Sequence, residues 1–232
     1  MDKIAVPTLR QTIRDFADLA RPSLWMTPPT DPDLPRGDGH AVLFAPGIGC
    51  NDLILASVVK FFRNLNYDAQ GWQIGINLGP TKRIMRRLEE RLFALNDRSG
   101  RRVSLYGKSL GGMVVREIAK KHPNRVRRLI LVCAPVQHPV ATRVAPLFYA
   151  LRPLFDSNIS SSDAELSRPA PVPTTALYTK NDGLVAWQCT LEQPGPLAEN
   201  IELHGAYHAR AASRPQSLRI AAERLALPDR AE

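Results

Sequence analysis

The sequence predicts an α/β fold with a mostly parallel central sheet flanked by helices, and three observations carry that expectation. From residue 40 onward, short apolar runs alternate with amphipathic stretches of helical period. The runs are almost continuously apolar, as strands covered on both faces are. The chain has 232 residues, 44% of them hydrophobic and 23% charged, which is room for one sizeable domain of ordinary globular composition.

Ahead of this alternation, Thr8 opens a short helix. Thr8 and Gln11 have capping-box spacing, Leu9, Ile13, Phe16 and Ala20 share a face, and Pro22 stops the run. An apolar face needs a surface to cover it, so this helix is expected to pack on the domain through those residues. Residues 22–39, rich in Pro, Asp and Gly, read as an irregular connector. The expected division is therefore 1–39 as N-terminal helix and Pro-rich connector packing on the domain, and 40–232 as the domain itself.

Within the domain, "HAVLFAP" at 40–46 predicts a buried strand, followed by a helix at 52–65, a strand at 67–73 and a helix at 81–95 with Ile84, Leu88, Leu92 and Leu95 on one face. A strand at 102–106, a helix at 109–122 and a strand at 126–134 continue the pattern. It breaks over about 137–170, where Val144, Leu147, Phe148, Leu151 and Phe155 fall at helical spacing and a Ser/Asp-rich stretch follows. That segment is expected as an insert over the C-terminal edge of the sheet. Its apolar face either packs on the core or lines a pocket as a small lid. Strands at 174–180 and 200–205 and a helix at about 213–226 finish the domain.

The net charge of +9 raises the question of a nucleic-acid or anionic-membrane partner. The arginines, however, lie in helical stretches with acids among them, as in "KRIMRRLEERL", and no basic block is interleaved with aromatics. No nucleic-acid partner is expected. No apolar run approaches a membrane span, so no integral membrane association is expected either. Asp2, Arg14, Asp15 and Asp18 interrupt any signal-peptide pattern. Cys50, Cys133 and Cys189 form neither a disulfide framework nor a zinc-ligand pattern. Together these point to a cytoplasmic location.

The segment "SLYGKSLGGMVVREIAKKH" at 104–122 reads in two ways. Gly-Lys-Ser is the tail of a phosphate-binding loop. Gly-x-Ser-x-Gly is the strand–turn–helix elbow that presents a nucleophilic serine. The phosphate loop needs a glycine five residues before Gly107, where Arg102 stands, and it needs a loop where "VSLY" is strand. The elbow needs tiny residues two positions to either side of the serine, and Gly107 and Gly111 meet that need around Ser109. A glycine-rich turn without chemistry is the plain alternative for the motif alone.

A serine hydroxyl is a weak nucleophile and needs a base held by an acid. In a fold of this kind the chain order is serine, acid, histidine. Asp182 in "KNDGLVAW" follows one strand and His208 in "GAYHARAAS" follows the next, so all three candidates lie past the C-terminal ends of strands. His204 is a rival base, expected in or at the end of its strand with a packing role. Asp156 and Asp163 are rival acids in the insert. His40, His122 and His138 are expected to be structural. An oxyanion requires amide donors. Leu110, which follows the serine, and Ile48, in "PGIG" after the first strand, are the candidates, with Gly47 and Gly49 allowing close backbone approach.

Taken together, "PGIG", "GWQIGINLGP", "GKSLGG", "KNDGLVAW" and "NIELHGAYH" resemble the α/β-hydrolase superfamily over residues 40–226, and within it small bacterial serine esterases and lipases. The resemblance implies an α/β-hydrolase fold with a short lid-like insert. It implies cleavage of small-molecule carboxylic esters through an acyl-enzyme, with Ser109 as nucleophile, Asp182 as acid, His208 as base, Ile48 and Leu110 as oxyanion-hole donors, and no cofactor or metal. Gly47, Asn77, Phe148 and Leu151 are the substrate-pocket candidates. The sequence departs from the family pattern at three places, one of them the basic tail "ARAASRP" after His208. Lys108 precedes the serine, where lipases often have an aromatic residue or histidine; it either stays out of the pocket or favours an anionic or polar acyl group. Pro46-Gly47 replaces the usual His-Gly. Acyl transfer or thioester hydrolysis would use the same triad, and a non-catalytic binding protein on this fold is the remaining reading.

Overall fold

A computed structural model describes residues 4–19, 33–137, 140–155 and 162–229. Six strands form one sheet: β1 (Ala41–Ala45), β2 (Asp68–Gly71), β3 (Val103–Lys108), β4 (Val126–Val132), β5 (Thr174–Tyr178) and β6 (Ala198–Glu202). Their order is β2-β1-β3-β4-β5-β6 and every pairing is parallel. The helices are α1 (Leu9–Leu19), α2 (Ala56–Asn64), α3 (Lys82–Ser99), α4 (Leu110–Lys121), α5 (Ala145–Leu151), α6 (Asp163–Ser167) and α7 (Pro215–Leu225).

The apolar strands create two cores because side chains alternate across the sheet. Val42 and Phe44 point to one face, where they meet Val58 and Phe62 of α2 and Leu218 and Leu225 of α7. Leu43 and Ala45 point to the other, against Leu88 and Leu92 of α3 and Val115 and Ile118 of α4. Each large side chain fully buried in this way contributes about 1.5–3 kcal/mol by leaving water. The predicted face of α3 is the buried one. Its ends are set by Thr81, whose hydroxyl accepts from the Ile84 N–H at 3.2 Å, and by Gly100 in the left-handed region.

β1 is the switch point. The chain leaves β1 toward β2 on one side and leaves β3 toward β4 on the other, so a crevice opens beyond the C-terminal ends of β1 and β3. Several boundaries differ from expectation. The strand expected at 102–106 runs on to Lys108, directly up to Ser109. The second strand is shorter than 67–73, because Gln73 at φ 57° cannot continue a strand. The helix expected at 52–65 begins as a 3-10 turn over Asp52–Leu55, with Asn51 accepting from the Leu53 N–H at 3.1 Å. β6 stops at Glu202, which leaves His204 in a turn with an exposed side chain rather than packed in a strand.

The largest difference is the orientation of α1. Leu9, Ile13 and Phe16, expected to face inward, are 60%, 59% and 51% exposed, whereas Thr12 and Asp15 are buried. Leu19, at the end of α1, packs with the cluster of Leu184, Val185, Ala186 and Cys189, but beneath Thr12 and Asp15 the loops offer backbone N–H and C=O groups. The polar face of α1 is therefore the face that fits. Thr12 Oγ1 donates to the Gly183 carbonyl at 2.7 Å, and Arg210 Nη2 donates to Asp18 Oδ1 at 2.8 Å.

In the insert, Val144 packs with Leu184, Val185, Ala186 and Cys189. Phe155 bridges to Thr81 and fills the space beside Gly79, where a Cβ would lie 2.5 Å from its ring. Leu151 is half-buried. The side chains of Leu147 and Phe148, and the positions of Ala20, Pro22, His138 and Asp156, lie outside the described residues.

Candidate active site

β3 hands over to α4 through one residue. Ser109 has φ 52° and ψ −127°, a region that costs a non-glycine residue about 1–3 kcal/mol. The neighbours hold it there. The Ser109 N–H donates to the Val132 carbonyl at 2.8 Å, and its own carbonyl accepts from the Gly112 N–H at 2.8 Å. The flanking glycines are required by contact. A Cβ on Gly107 would come closer than 3.0 Å to the Gly112 backbone, and one on Gly111 equally close to the carbonyls of Ala45 and Pro46. The strand, the turn and the helix therefore approach as near as backbones can.

The second strand end at the site is that of β1. Cys50 N–H donates to the Gly47 carbonyl at 3.2 Å, closing a turn with Gly49 at φ 69°. Asn77 braces this turn on every side. Its Nδ2 donates to the Pro46 carbonyl at 2.6 Å, its carbonyl accepts from the Gly49 N–H at 2.8 Å, and its N–H donates to the Cys50 carbonyl at 2.9 Å. Its Oδ1 accepts from the Gly79 N–H at 2.8 Å. Asn77 is fully buried, so it holds the turn in place rather than presenting a side chain to solvent. The turn lies against the serine: a Cβ on Gly47 would be 3.4 Å from Ser109 Cβ and 4.0 Å from its Oγ. Among the described residues the Ile48 N–H enters no backbone hydrogen bond. The Leu110 N–H opens α4, where an N–H has no partner within the helix. The positive end of the helix dipole adds to the field at this point.

Asp182 and His208 follow β5 and β6, and both side chains are buried. Asp182 Oδ1 accepts from the N–H groups of Leu184 and Val185 at 2.9 and 2.8 Å. Its Oδ2 lies 2.7 Å from His208 Nδ1. A carboxylate can only accept, so Nδ1 carries a proton, and in the neutral imidazole the lone pair is then on Nε2. Among the described residues His208 makes no hydrogen bond to the Ser109 hydroxyl; the structure joins acid to histidine and leaves the serine–histidine contact open. His40 is bonded to Asp38 and Ser104, and His122 to Glu89, each far from this edge in its own polar cluster.

Two further residues surround the pair. Lys108 does not face outward: it is buried, its Nζ donates to the Ala209 carbonyl at 2.6 Å, and burial lowers its pKa. Cys133, at φ 48°, lies behind Asp182, and burial pushes its thiol well above the ordinary value. Cys133 Sγ, Asp182 and His208 offer ligand atoms within 4.8 Å of one another. A cation there would need the thiol deprotonated, which burial opposes. The observed bonding suits an acid–histidine pair instead. Cys133 carries no sequence signal beyond ending an apolar run, and Asp15, treated below, sits on the polar face of a helix where any acid would pass for a solvated one.

No protein-family model matches the chain, and no curated protein sequence matches it. Solved structures do. The lipase BlEst2 of Bacillus licheniformis, in its mature form, is 18% identical over 85% of this chain and 96% of its own, with a TM-score of 0.61. A monoacylglycerol lipase of Paleococcus ferrophilus is 14% identical over 81% of this chain and 96% of its own, at 0.55. A pyrethroid hydrolase of Sphingobium faniae JZ-2 is 18% identical over 81% and 97%, at 0.52. At these identities the likeness is one of architecture, and the chain has the α/β-hydrolase fold.

Proposed function

We propose that this protein is a serine hydrolase that cleaves carboxylic esters through an acyl-enzyme on Ser109. The observation that carries the reading is one of position. A serine held at strained backbone angles between β3 and α4 shares a sheet edge with a histidine whose Nδ1 is committed to a buried carboxylate. In the reaction, His208 Nε2 takes the hydroxyl proton as Ser109 Oγ attacks the carbonyl carbon. Asp182 keeps the imidazole in the required tautomer and stabilises the imidazolium. The Ile48 and Leu110 N–H groups receive the oxyanion. As the intermediate collapses, His208 protonates the leaving alkoxide. A water then repeats the sequence on the acyl-enzyme and frees the acid. None of these steps calls on a metal or organic cofactor.

An apolar acyl group fits the surroundings. Ile76 and Leu78, on either side of Asn77, and Leu154, just after α5 in the insert, expose apolar side chains. Phe148 and Leu151 are the insert residues proposed to extend that surface. The cytoplasm is the proposed location; among the described residues no helix is long and apolar enough to cross a membrane.

Fluorophosphonate labelling followed by intact-mass measurement tests the reading. One adduct is expected on the wild-type protein, none on Ser109→Ala, and a rate at least a hundredfold lower on His208→Ala. A wild-type protein that stays unlabelled at long times, or an adduct that survives Ser109→Ala, overturns it. Turnover of acyl esters with water, against transfer to added alcohols or cleavage of thioesters, separates hydrolysis from the related acyl-transfer chemistry.

A further inference from the structure

We infer that Asp15, on α1, is a positioning residue of this site, locking the acid and histidine loops into register through one carboxylate; the inference rests on the catalytic reading above. Asp15 is 0% exposed. Its Oδ2 accepts from the Gly183 N–H at 2.8 Å and its Oδ1 from the Ala209 N–H at 2.9 Å. Gly183 is the residue after Asp182, and Ala209 is the residue after His208. A single side chain thus grips the peptide that follows each member of the pair.

The carbonyl of each of these two residues is gripped as well. Thr12, one turn earlier on α1, donates to the Gly183 carbonyl at 2.7 Å. Lys108, the residue before Ser109, donates to the Ala209 carbonyl at 2.6 Å. Each of the three catalytic candidates therefore has an immediate chain neighbour in one buried network. The preceding residues are engaged too: Arg14 donates to the Asn181 carbonyl at 2.5 Å and lies 3.6 Å over the Tyr207 ring. The acid loop is shaped for this contact. A Cβ on Gly183 would lie 2.5 Å from Asp15 Oδ2 and closer than 3.0 Å to the Gln11 carbonyl.

The charge state follows from the donors. Each carboxyl oxygen accepts from a backbone N–H, and both bonds favour the ionised form. Burial raises the Asp15 pKa, the Ala209 and Gly183 N–H groups and His208 oppose that shift, and Asp182 adds to it. The groups facing Asp15 are Arg14 on its own helix, Asp182 and His208 on the two loops, and Lys108 from β3. An ionised Asp15 also favours the imidazolium of His208 through space.

The test compares Asp15→Asn and Asp15→Glu with the wild-type protein on a chromogenic acyl ester. Asn keeps the shape but turns one N–H donor toward another. It is expected to lower kcat by about ten- to a hundredfold with KM within about twofold, because the loss is one of alignment. Removing the negative charge is expected to move the acidic limb of the kcat/KM profile to lower pH. Glu keeps the charge and is expected to leave that limb in place while lowering kcat. Wild-type kcat and an unmoved limb in Asp15→Asn overturn the inference. Should Asp15→Asn not fold, Thr12→Val removes the Gly183 carbonyl contact together with a bond to the Thr8 carbonyl inside α1's own first turn, and leaves Asp15 in place; a drop in kcat supports the network and wild-type kcat overturns it. A readout free of turnover separates this idea from the catalytic reading. The downfield proton resonance of His208 Nδ1–H is expected to shift in Asp15→Asn even in a protein that hydrolyses nothing. An unchanged resonance in the folded variant overturns the inference.

Discussion

Replacing Gly111 with alanine puts one carbon into the tightest part of the elbow. The new Cβ would approach the Pro46 and Ala45 carbonyl oxygens closer than 3.0 Å, and both are backbone atoms that no rotamer change can move. Relief needs α4 to retreat from β1 by about 1 Å. Overpacking of this kind costs about 1–3 kcal/mol, and an all-backbone clash belongs at the upper end. Alanine recovers about 0.5–1 kcal/mol over glycine within a helix. The net loss is about 2 kcal/mol, which for a chain of this size lowers Tm by about 4–8 °C. The same retreat moves the Ser109 and Leu110 backbone away from the Gly47 turn. Ester hydrolysis is then expected to fall about a hundredfold in kcat, with KM little changed. The assay is thermal unfolding by circular dichroism beside initial rates on a chromogenic ester. Gly195→Ala serves as the control, since a Cβ there meets nothing within 4 Å. A Gly111→Ala protein that is more stable than wild type and fully active would refute the packing argument and, with it, the strained elbow.

Two further outcomes follow from buried polar groups. Asn77→Ala strands the Pro46 carbonyl and the Gly79 N–H, and is expected to lose about 2–4 kcal/mol in urea unfolding, with kcat reduced more than KM because the Gly47 turn loosens. Arg116 and Glu192 form a buried pair at 2.5 Å behind α4, with the Leu166 and Ser167 carbonyls also bonded to the guanidinium. Arg116→Ala leaves the Glu192 carboxylate uncompensated and is expected to cost about 3–5 kcal/mol, whereas Arg116→Met with Glu192→Leu recovers much of that loss; urea midpoints of the three proteins decide it.

The parts of this molecule that were legible in the sequence are those governed by side-chain period and by small residues at short spacing. "AVLFA" and "RLILV" can only be strands covered on both faces, and the glycines around Ser109 announce a turn too tight for any other residue. What was illegible depended on partners distant in sequence. The stripe of Leu9, Ile13 and Phe16 reads as a buried face because periodicity records what a helix offers. It does not record what the opposing surface needs. Here that surface is the backbone of two loops, and Thr12 and Asp15 answer it. Lys108 offers the same lesson. Its place beside Ser109 left two orientations open, out of the pocket or toward an acyl group, and a carbonyl at Ala209, supplied a hundred residues later, draws its ammonium inward. Asn77 could be placed near the site from its position after the second strand. Its three bonds to the turn at residues 46–50 could not be foreseen from that position.

The docking of α1 also bears on the order in which the molecule matures. Asp15 and Ala209 are separated by 194 residues, and α1 has eleven. A helix of that length is marginal by itself in water. At synthesis rates of about 5–20 residues per second, its partner emerges from the ribosome about 10–40 s after it does. Through most of that interval the strands β1 to β5 can pair while the polar face of α1 waits, first for the Gly183 loop and then for the Ala209 loop. A helix made before any strand of the sheet is thus among the last elements to take its place, and the acid and histidine loops acquire their final register only when it does.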